Sequence, residues 1–275
     1  MNLWQAKRSK RRNPRASPRR VVGVIAASGG LGASTLATAL AMRGAGEGLA
    51  TLLIDAHPYG GGLDVCLGLD TEPGVRWCDL ASVRGDIDAR AVLELLPVVR
   101  QCRVLSWDRA CPAALTKQGS FMAAGLTEAA HLSVIDLPGP EAEGAPTWWG
   151  LCDDIVLVCG DGVRQVAAAA VVLERLEVFA LPALAPTDAT PMSPPSPRLA
   201  AVKLRVHGVV REGPGRVDRD RAAAILGLPV LAAMRRDPGV EAALTSGEPI
   251  AGRSGPVAAL ADGLLGDILG WADAA

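Results

Sequence analysis

Residues 21–43 constrain this chain more than any other stretch. Val21-Val22-Gly23-Val24-Ile25-Ala26-Ala27 is a continuous apolar run rich in β-branched side chains. Such a run suits a strand buried on both faces, as in a parallel sheet. Ser28-Gly29-Gly30-Leu31-Gly32-Ala33-Ser34-Thr35 follows, and then Leu36–Arg43, a run of strong helix formers without a breaker. Strand, glycine loop and helix, in that order, aim backbone N–H groups and a helix N-terminus at an anion. Glycine lets the backbone wrap closely around phosphate oxygens. Ser34 is expected to open the helix, where its hydroxyl can cap the first turn or ligate Mg²⁺.

The rest of the chain continues the alternation. Strands are expected at 50–55, 102–106, 132–136 and 155–159, with helical stretches at 87–97, 114–130 and 163–177. This is the pattern of an α/β fold: a doubly wound, mainly parallel sheet flanked by helices. Two strands end in aspartate, Asp55 and Asp136. Ligands of open α/β sheets sit beyond the carboxyl ends of the strands. Both carboxylates are therefore expected to face the crevice of the glycine loop, as candidates for positioning Mg²⁺ or an attacking water. Six prolines in 181–198 forbid regular structure and read as a surface loop within one domain, residues 21–273. A strand over 201–210, a helix near 217–226, a strand near 229–233 and a helix over 256–273 complete the domain. The last helix carries Asp262, Asp267 and Asp273 on its polar side and no basic residue, so it reads as a packing helix rather than a membrane anchor.

Charge separates the N-terminus from the body. Lys7, Arg8, Lys10, Arg11, Arg12, Arg15, Arg19 and Arg20 occur within the first 20 residues, with no acid among them. Removing those eight leaves 20 basic residues against 29 acidic ones, so the body is formally −9. Residues 1–20 read as a disordered basic arm. The arm is either a solvated tail or, through residues 7–20, a nonspecific contact to DNA or to an anionic membrane surface. Arg19-Arg20 before an apolar run also has the look of a twin-arginine leader, but residues 21–43 are better explained as strand, loop and helix. No stretch approaches the ~18 unbroken apolar residues of a membrane span. The six cysteines never form a C-x-x-C pair, which speaks against a zinc site or disulfide framework and for free thiols in a reducing cytosol.

Ser28–Thr35 resembles the deviant Walker A motif of the MinD/ParA group of P-loop ATPases, K-G-G-x-G-K-[ST]-[ST]. Leu52-Leu53-Ile54-Asp55-Ala56-His57-Pro58 is similar to the group's L-L-[IV]-D-x-D-[PL] motif, and Val134-Ile135-Asp136-Leu137-Pro138-Gly139 to its Walker B and switch II segment. Leu226-Gly227-Leu228-Pro229-Val230, Asp237-Pro238-Gly239-Val240 and Gly247-Glu248-Pro249-Ile250 are similar to its C-terminal pattern. Within the group the chain looks most like the CpaE/TadZ and septum-site-determining branch. The resemblance implies binding of ATP and Mg²⁺, with nucleotide held by Gly29, Gly30, Leu31, Gly32, Ala33, Ser34 and Thr35 and metal by Ser34, Asp55 and Asp136. It further implies a nucleotide-dependent homodimer, division or secretion proteins as partners, and a cytoplasmic location, peripheral at the inner face of the cell membrane. The implied role is spatial positioning of a septum or of pilus and secretion machinery.

The departures from the pattern bear on chemistry. Ser28 stands at the group's signature lysine, Ala33 at its Walker lysine, and His57 at the second aspartate of D-x-D. Arg211 replaces the asparagine that usually helps hold adenine. The chain has four lysines (Lys7, Lys10, Lys117 and Lys203), none of them in the loop; Arg211, Arg235 or Arg236 could substitute. A charge-assisted hydrogen bond is worth ~1.5–3 kcal/mol, so weak binding can survive the loss of one lysine. An arginine-finger-like group is worth about 10³–10⁵ in rate, so the expectation is a weak ATPase or pseudo-ATPase with little or no turnover. Two other readings stand beside this one. The same fold could serve as a scaffold that binds no nucleotide, with Asp55 and Asp136 merely capping. A Rossmann-type NAD(P)-binding oxidoreductase is suggested by Gly30-Leu31-Gly32 and Asp55, but Thr35 occupies the place of the third glycine, and Tyr59 has Leu63 rather than lysine four positions on.

Overall fold

A computed structural model describes residues 19–58, 60–81, 88–107, 116–180, 204–250 and 252–270. Residues 1–18 of the basic arm and the proline-rich stretch 181–198 lie outside the described residues, as do Cys111, Tyr59, Lys203 and positions 271–273 of the expected last helix.

Eight strands form one sheet: β1 (Arg20–Ala26), β2 (Thr51–Asp55), β3 (Val98–Val99), β4 (Cys102–Leu105), β5 (Leu132–Asp136), β6 (Asp154–Gly160), β7 (Arg205–Arg211) and β8 (Val230–Met234). Their order across the sheet is β3-β4-β2-β5-β1-β6-β7-β8. Every pairing is parallel except that of β3 with β4. Among the described residues, ten helices connect and cover the strands: α1 (Ala33–Gly46), α2 (Leu63–Leu67), α3 (Trp77–Ala81), α4 (Ala89–Leu95), α5 (Thr116–Glu128), α6 (Ala145–Trp149), α7 (Val163–Ala180), α8 (Arg219–Leu226), α9 (Pro238–Ser246) and α10 (Pro256–Ile268).

The central strands are apolar on both sides because each face carries its own core. Val22, Val24, Leu53, Val134, Val156 and Val158 join α1, α2 and α10 in one core. Their strand neighbours Val21, Ile25, Leu52, Ile54, Ile135, Ile155 and Leu157 join α3 through α8 in the other. Successive strand residues point to opposite faces, so in a strand sandwiched between two helical layers both faces favour apolar side chains, with Thr51 and Ser133 buried exceptions. This is why β2, β5 and β6 are buried at every residue. Trp148 and Trp149 are core residues, each 3% exposed. α10 packs by Val257, Leu260, Ala261, Leu264, Leu265 and Ile268, against α1 and β8.

Strand termini carry the polar anchors. Asp154 opens β6 with its side chain fully buried, paired to Arg205 Nη2 at 2.7 Å and to His207 Nε2 at 2.8 Å at the start of β7. Burial alone would raise its pKa; the hydrogen bonds from His207 and Arg205 outweigh burial and hold it below the ordinary carboxylate value. His131 accepts from the Ala50 N–H through Nδ1. Both histidines are structural. The described cysteines are free thiols, and burial pushes Cys66, Cys152 and Cys159 above the ordinary thiol range and Cys102 to about 12.

Candidate functional site

The glycine loop leaves β1 at Ala26 and enters α1 at Ala33. Gly30 and Gly32 hold φ of +79° and +87°, a left-handed backbone that a side chain would strain. Gly29 and Gly30 are exposed, and nothing lies within 4 Å of where a Cβ would stand on either. Leu31, by contrast, is buried at 5% exposure and anchors the loop in the α1 core. One expectation is corrected here. Ser34 does not open the helix: Gly32 is the N-cap, without any side-chain cap, and Ala33 is the first helical residue. The Gly32 carbonyl accepts the first helical bond, from the Leu36 N–H at 3.0 Å. Ser34 therefore sits one position into the helix, with its hydroxyl near enough to the Asp136 carboxylate to favour its ionised form. Thr35 lies beside it, half-buried.

Asp55 and Asp136 end neighbouring strands in direct register. Each is 2% exposed. Their surroundings nevertheless differ. Asp55 accepts from the His57 N–H through Oδ1 at 2.9 Å and from the Leu63 N–H through Oδ2 at 3.1 Å. The second bond ties the first residue of α2 to the strand, so this carboxylate has a capping role. The Asp55 carbonyl accepts from the Trp77 indole N–H at 2.7 Å. Asp136 has no such support, and its Oδ1 is buried without a hydrogen-bond partner. Burial pushes Asp55 up to about 6, opposed by its two backbone hydrogen bonds and helped by the charge of Asp64. Burial pushes Asp136 up to about 7, helped by the charge of Asp55 and opposed by the Ser34 hydroxyl. A bare buried oxygen, a second carboxylate in register and a hydroxyl make an all-oxygen donor set of the kind a hard divalent cation takes. The residues present thus fit Mg²⁺, with Asp136 and Ser34 offering open donors and Asp55 lying behind them.

His57 is half-buried past the end of β2. Burial lowers its pKa, with Glu141 opposing the shift. Glu141 follows Asp136 in the segment leading to α6, where its carboxylate lies against the Cα of Gly139.

The other side of the loop is bounded by β7 and β8. The Met234 methyl lies 3.1 Å from where a Cβ would stand on Gly32, and Arg211 pairs with Met234 in register. Arg211 and Arg236 both bind Glu241, at 3.4 and 2.7 Å, and Arg235 faces Glu212 at 3.7 Å. The arginines singled out in the sequence thus gather at the strand ends beside the loop. Trp77, Glu141 and Met234 were not picked out in the sequence, because each owes its position to a contact from a distant part of the chain.

No protein-family model matches the chain. An uncharacterized protein of Mycobacterium tuberculosis strain H37Rv is 33% identical over 227 residues, covering 79% of this chain and 55% of that protein; its counterpart in strain CDC 1551 gives the same values. The chain therefore spans about half the length of the curated relatives it matches. Among solved structures, the septum site-determining protein MinD of Pyrococcus horikoshii, complexed with Mg-ADP, superposes with a TM-score of 0.69 at 14% identity, covering 91% of this chain and 96% of that one. A chain of the MinC:MinD cell division protein complex of Aquifex aeolicus gives 0.69 at 16%, with 91% and 96% covered. A ParA family ATPase from Chlorobium tepidum gives 0.61 at 17%, with 93% and 98% covered. The chain has the fold of the MinD/ParA P-loop ATPases.

Proposed function

We propose that this protein is a nucleotide-binding member of the MinD/ParA type that acts in spatial positioning and binds Mg²⁺–ATP weakly, with little or no hydrolysis. The observation that carries this reading is the partnerless buried Oδ1 of Asp136 beside the Ser34 hydroxyl, at the start of the helix that the glycine loop feeds. A buried carboxylate oxygen left without a donor is costly, and a bound cation removes that cost. Exposed Gly29 and Gly30, with nothing within 4 Å of their Cβ positions, and the left-handed backbone of Gly30 and Gly32 support the phosphate-cradle reading. Gly29, Gly30, Leu31, Gly32, Ala33, Ser34 and Thr35 hold phosphate mainly through backbone N–H groups; Ser34 and Asp136, with Asp55 behind, hold Mg²⁺. When bound, Mg²⁺ supplies charge neutralisation to the phosphate oxygens.

Low turnover follows from side chains rather than from the fold. Ser28 and Ala33 offer no charge to a transferring phosphoryl group, and a half-buried imidazole at His57 replaces a carboxylate. A phosphate-release assay with saturating Mg²⁺–ATP is expected to read at background. Robust Mg²⁺-dependent release that vanishes in Ser34→Ala would overturn this part of the reading.

The cellular assignment rests on likeness. The neighbours named above include septum-site and cell-division proteins, and the CpaE/TadZ-like loop points toward septum or pilus and secretion machinery. Partners under this reading are a second copy of the chain and division or secretion proteins. Residues 7–20 supply nonspecific attachment to DNA or to anionic lipid at the inner membrane face. Among the described residues no helix is long and apolar enough to cross a membrane. Deleting residues 2–18, which leaves β1 from Arg20 intact, and titrating DNA and anionic vesicles at two salt concentrations tests the arm: equal binding with and without it moves the contact to the body.

A further inference from the structure

We propose that Arg235 supplies the positive charge that the lysine-free glycine loop lacks, and so acts as a phosphate-binding residue of the site. The inference rests on the nucleotide reading above and names the side chain that gives it affinity. Loop and strand end touch: the side chain of Met234 is packed against Gly32, the N-cap of α1. The Glu212 N–H donates to the Met234 carbonyl at 3.0 Å, which locks the end of β8 to the end of β7 beside the loop. Arg235 is the next residue after this anchored position.

Three arginines share this flank, and their pairing separates them. Arg211 is largely covered, with 24% of its side chain exposed, and it binds Glu241 while donating to the Arg235 carbonyl. Arg236 holds the other oxygen of the same carboxylate at 2.7 Å. Both are engaged by Glu241. Arg235 is 75% exposed, and its contact to Glu212 is a loose 3.7 Å pair with a half-exposed carboxylate. An exposed pair of that length contributes little and exchanges readily. A guanidinium so held can leave its glutamate for a phosphate, to which it offers two parallel donors. The opposite flank already presents the oxygen donors of Asp136 and Ser34. A Mg²⁺–polyphosphate bridging the loop would meet a cation site on one side and a guanidinium on the other.

The test is calorimetric titration of the full chain with Mg²⁺–ATP, Mg²⁺–ADP and adenosine, in wild type, Arg235→Ala, Arg235→Lys and Glu212→Gln, with melting curves confirming folding. Arg235→Ala should weaken Mg²⁺–ATP binding by roughly 10- to 100-fold, the worth of one charge-assisted bond, weaken Mg²⁺–ADP less, and leave adenosine unchanged. Arg235→Lys should keep part of the affinity. Glu212→Gln, which releases Arg235, should tighten Mg²⁺–ATP binding. Wild-type binding that Arg235→Ala leaves unchanged, or loses equally for adenosine, overturns this inference while leaving the nucleotide reading intact. Wild type that binds no Mg²⁺–ATP overturns both.

Discussion

The two flanks of the glycine loop hold their charges in opposite ways. On the β2/β5 side, Asp55 and Asp136 are buried to 2% exposure and fixed by the register of two central strands. On the β7/β8 side, Arg235 and Arg236 are exposed; Arg236 is held by Glu241 at 2.7 Å, while the 3.7 Å pair of Arg235 with Glu212 is loose enough to exchange. Burial gives the carboxylates fixed positions but makes their ionised forms expensive. Exposure makes the arginines cheap to keep charged and gives them little geometric definition. Under the proposed reading, a site so divided would present a preorganised cation end and an adaptable anion end, and substitutions on the two sides should behave differently.

The largest expected effect is on the buried flank. Asp136→Asn keeps the shape of the side chain and removes a charge whose pKa stands at about 7. In metal-free protein at pH 8 it should stabilise the fold by on the order of 4 kcal/mol, from about 1.4 kcal/mol per pKa unit, as read by urea denaturation. Asp55→Asn should gain less, because its oxygens already accept the His57 and Leu63 N–H groups. Destabilisation by Asp136→Asn would show that the carboxylate is already compensated without metal.

The same shifts set a pH dependence. Asp55 and Asp136 bind their protons more tightly folded than unfolded, with folded pKa values of about 6 and about 7 against 3.8. Between roughly pH 4 and 7 the native state therefore holds more protons, and stability falls as pH rises. Asp154 works the other way. Its folded pKa is depressed, so its contribution is present above pH ~4 and is lost as acid protonates it. Metal-free protein should be most stable in mildly acidic solution, and Mg²⁺ with nucleotide should recover part of the loss at pH 8. A melting profile that rises steadily from pH 5 to pH 8 without ligand would count against buried, uncompensated carboxylates.

Smaller effects follow at the supports. Trp77→Phe removes the donor to the Asp55 carbonyl and leaves that buried oxygen unpaired, at a cost of about 1–3 kcal/mol. It should also weaken Mg²⁺-dependent binding, because Asp55 loses its rear anchor; stability loss with unchanged binding would confine Trp77 to packing against Trp107 and Trp148. Ala33→Lys restores a cation at the first position of α1. It should tighten ATP binding by roughly 10- to 100-fold, and no change in a folded variant would mean that the loop is not a phosphate cradle.

Much of the fold was legible because the sheet is covered on both sides. Runs such as Leu52–Ile54 and Ile155–Val158 have no polar position to confuse their reading, and the terminal aspartates mark the carboxyl ends of the strands. The short elements were not legible. α2, α3 and α6 have five residues each and β3 has two, too few for a period to show. They form because contacts outside their own residues hold them: the Asp55 carboxylate accepts from the first residue of α2, and β3 pairs back on β4 across a tight turn. At the site, residue types and strand ends announced Ser34, Asp55 and Asp136. That Ala33 rather than Ser34 starts the helix depends on the backbone of Gly32, which composition does not display. The division of labour between the two carboxylates was hidden as well. It depends on which of them receives N–H groups from the following loop, and only packing decides that.

The central claim is that a Mg²⁺-dependent phosphate site sits between the glycine loop and Asp136. It is tested most directly by calorimetric titration of Mg²⁺–ATP into the full chain, repeated with chelator and with Asp136→Ala. The account predicts weak binding to wild type in the presence of Mg²⁺, and loss of that binding both with chelator and in Asp136→Ala. Binding that is the same in all three experiments, or absent from wild type altogether, would contradict it.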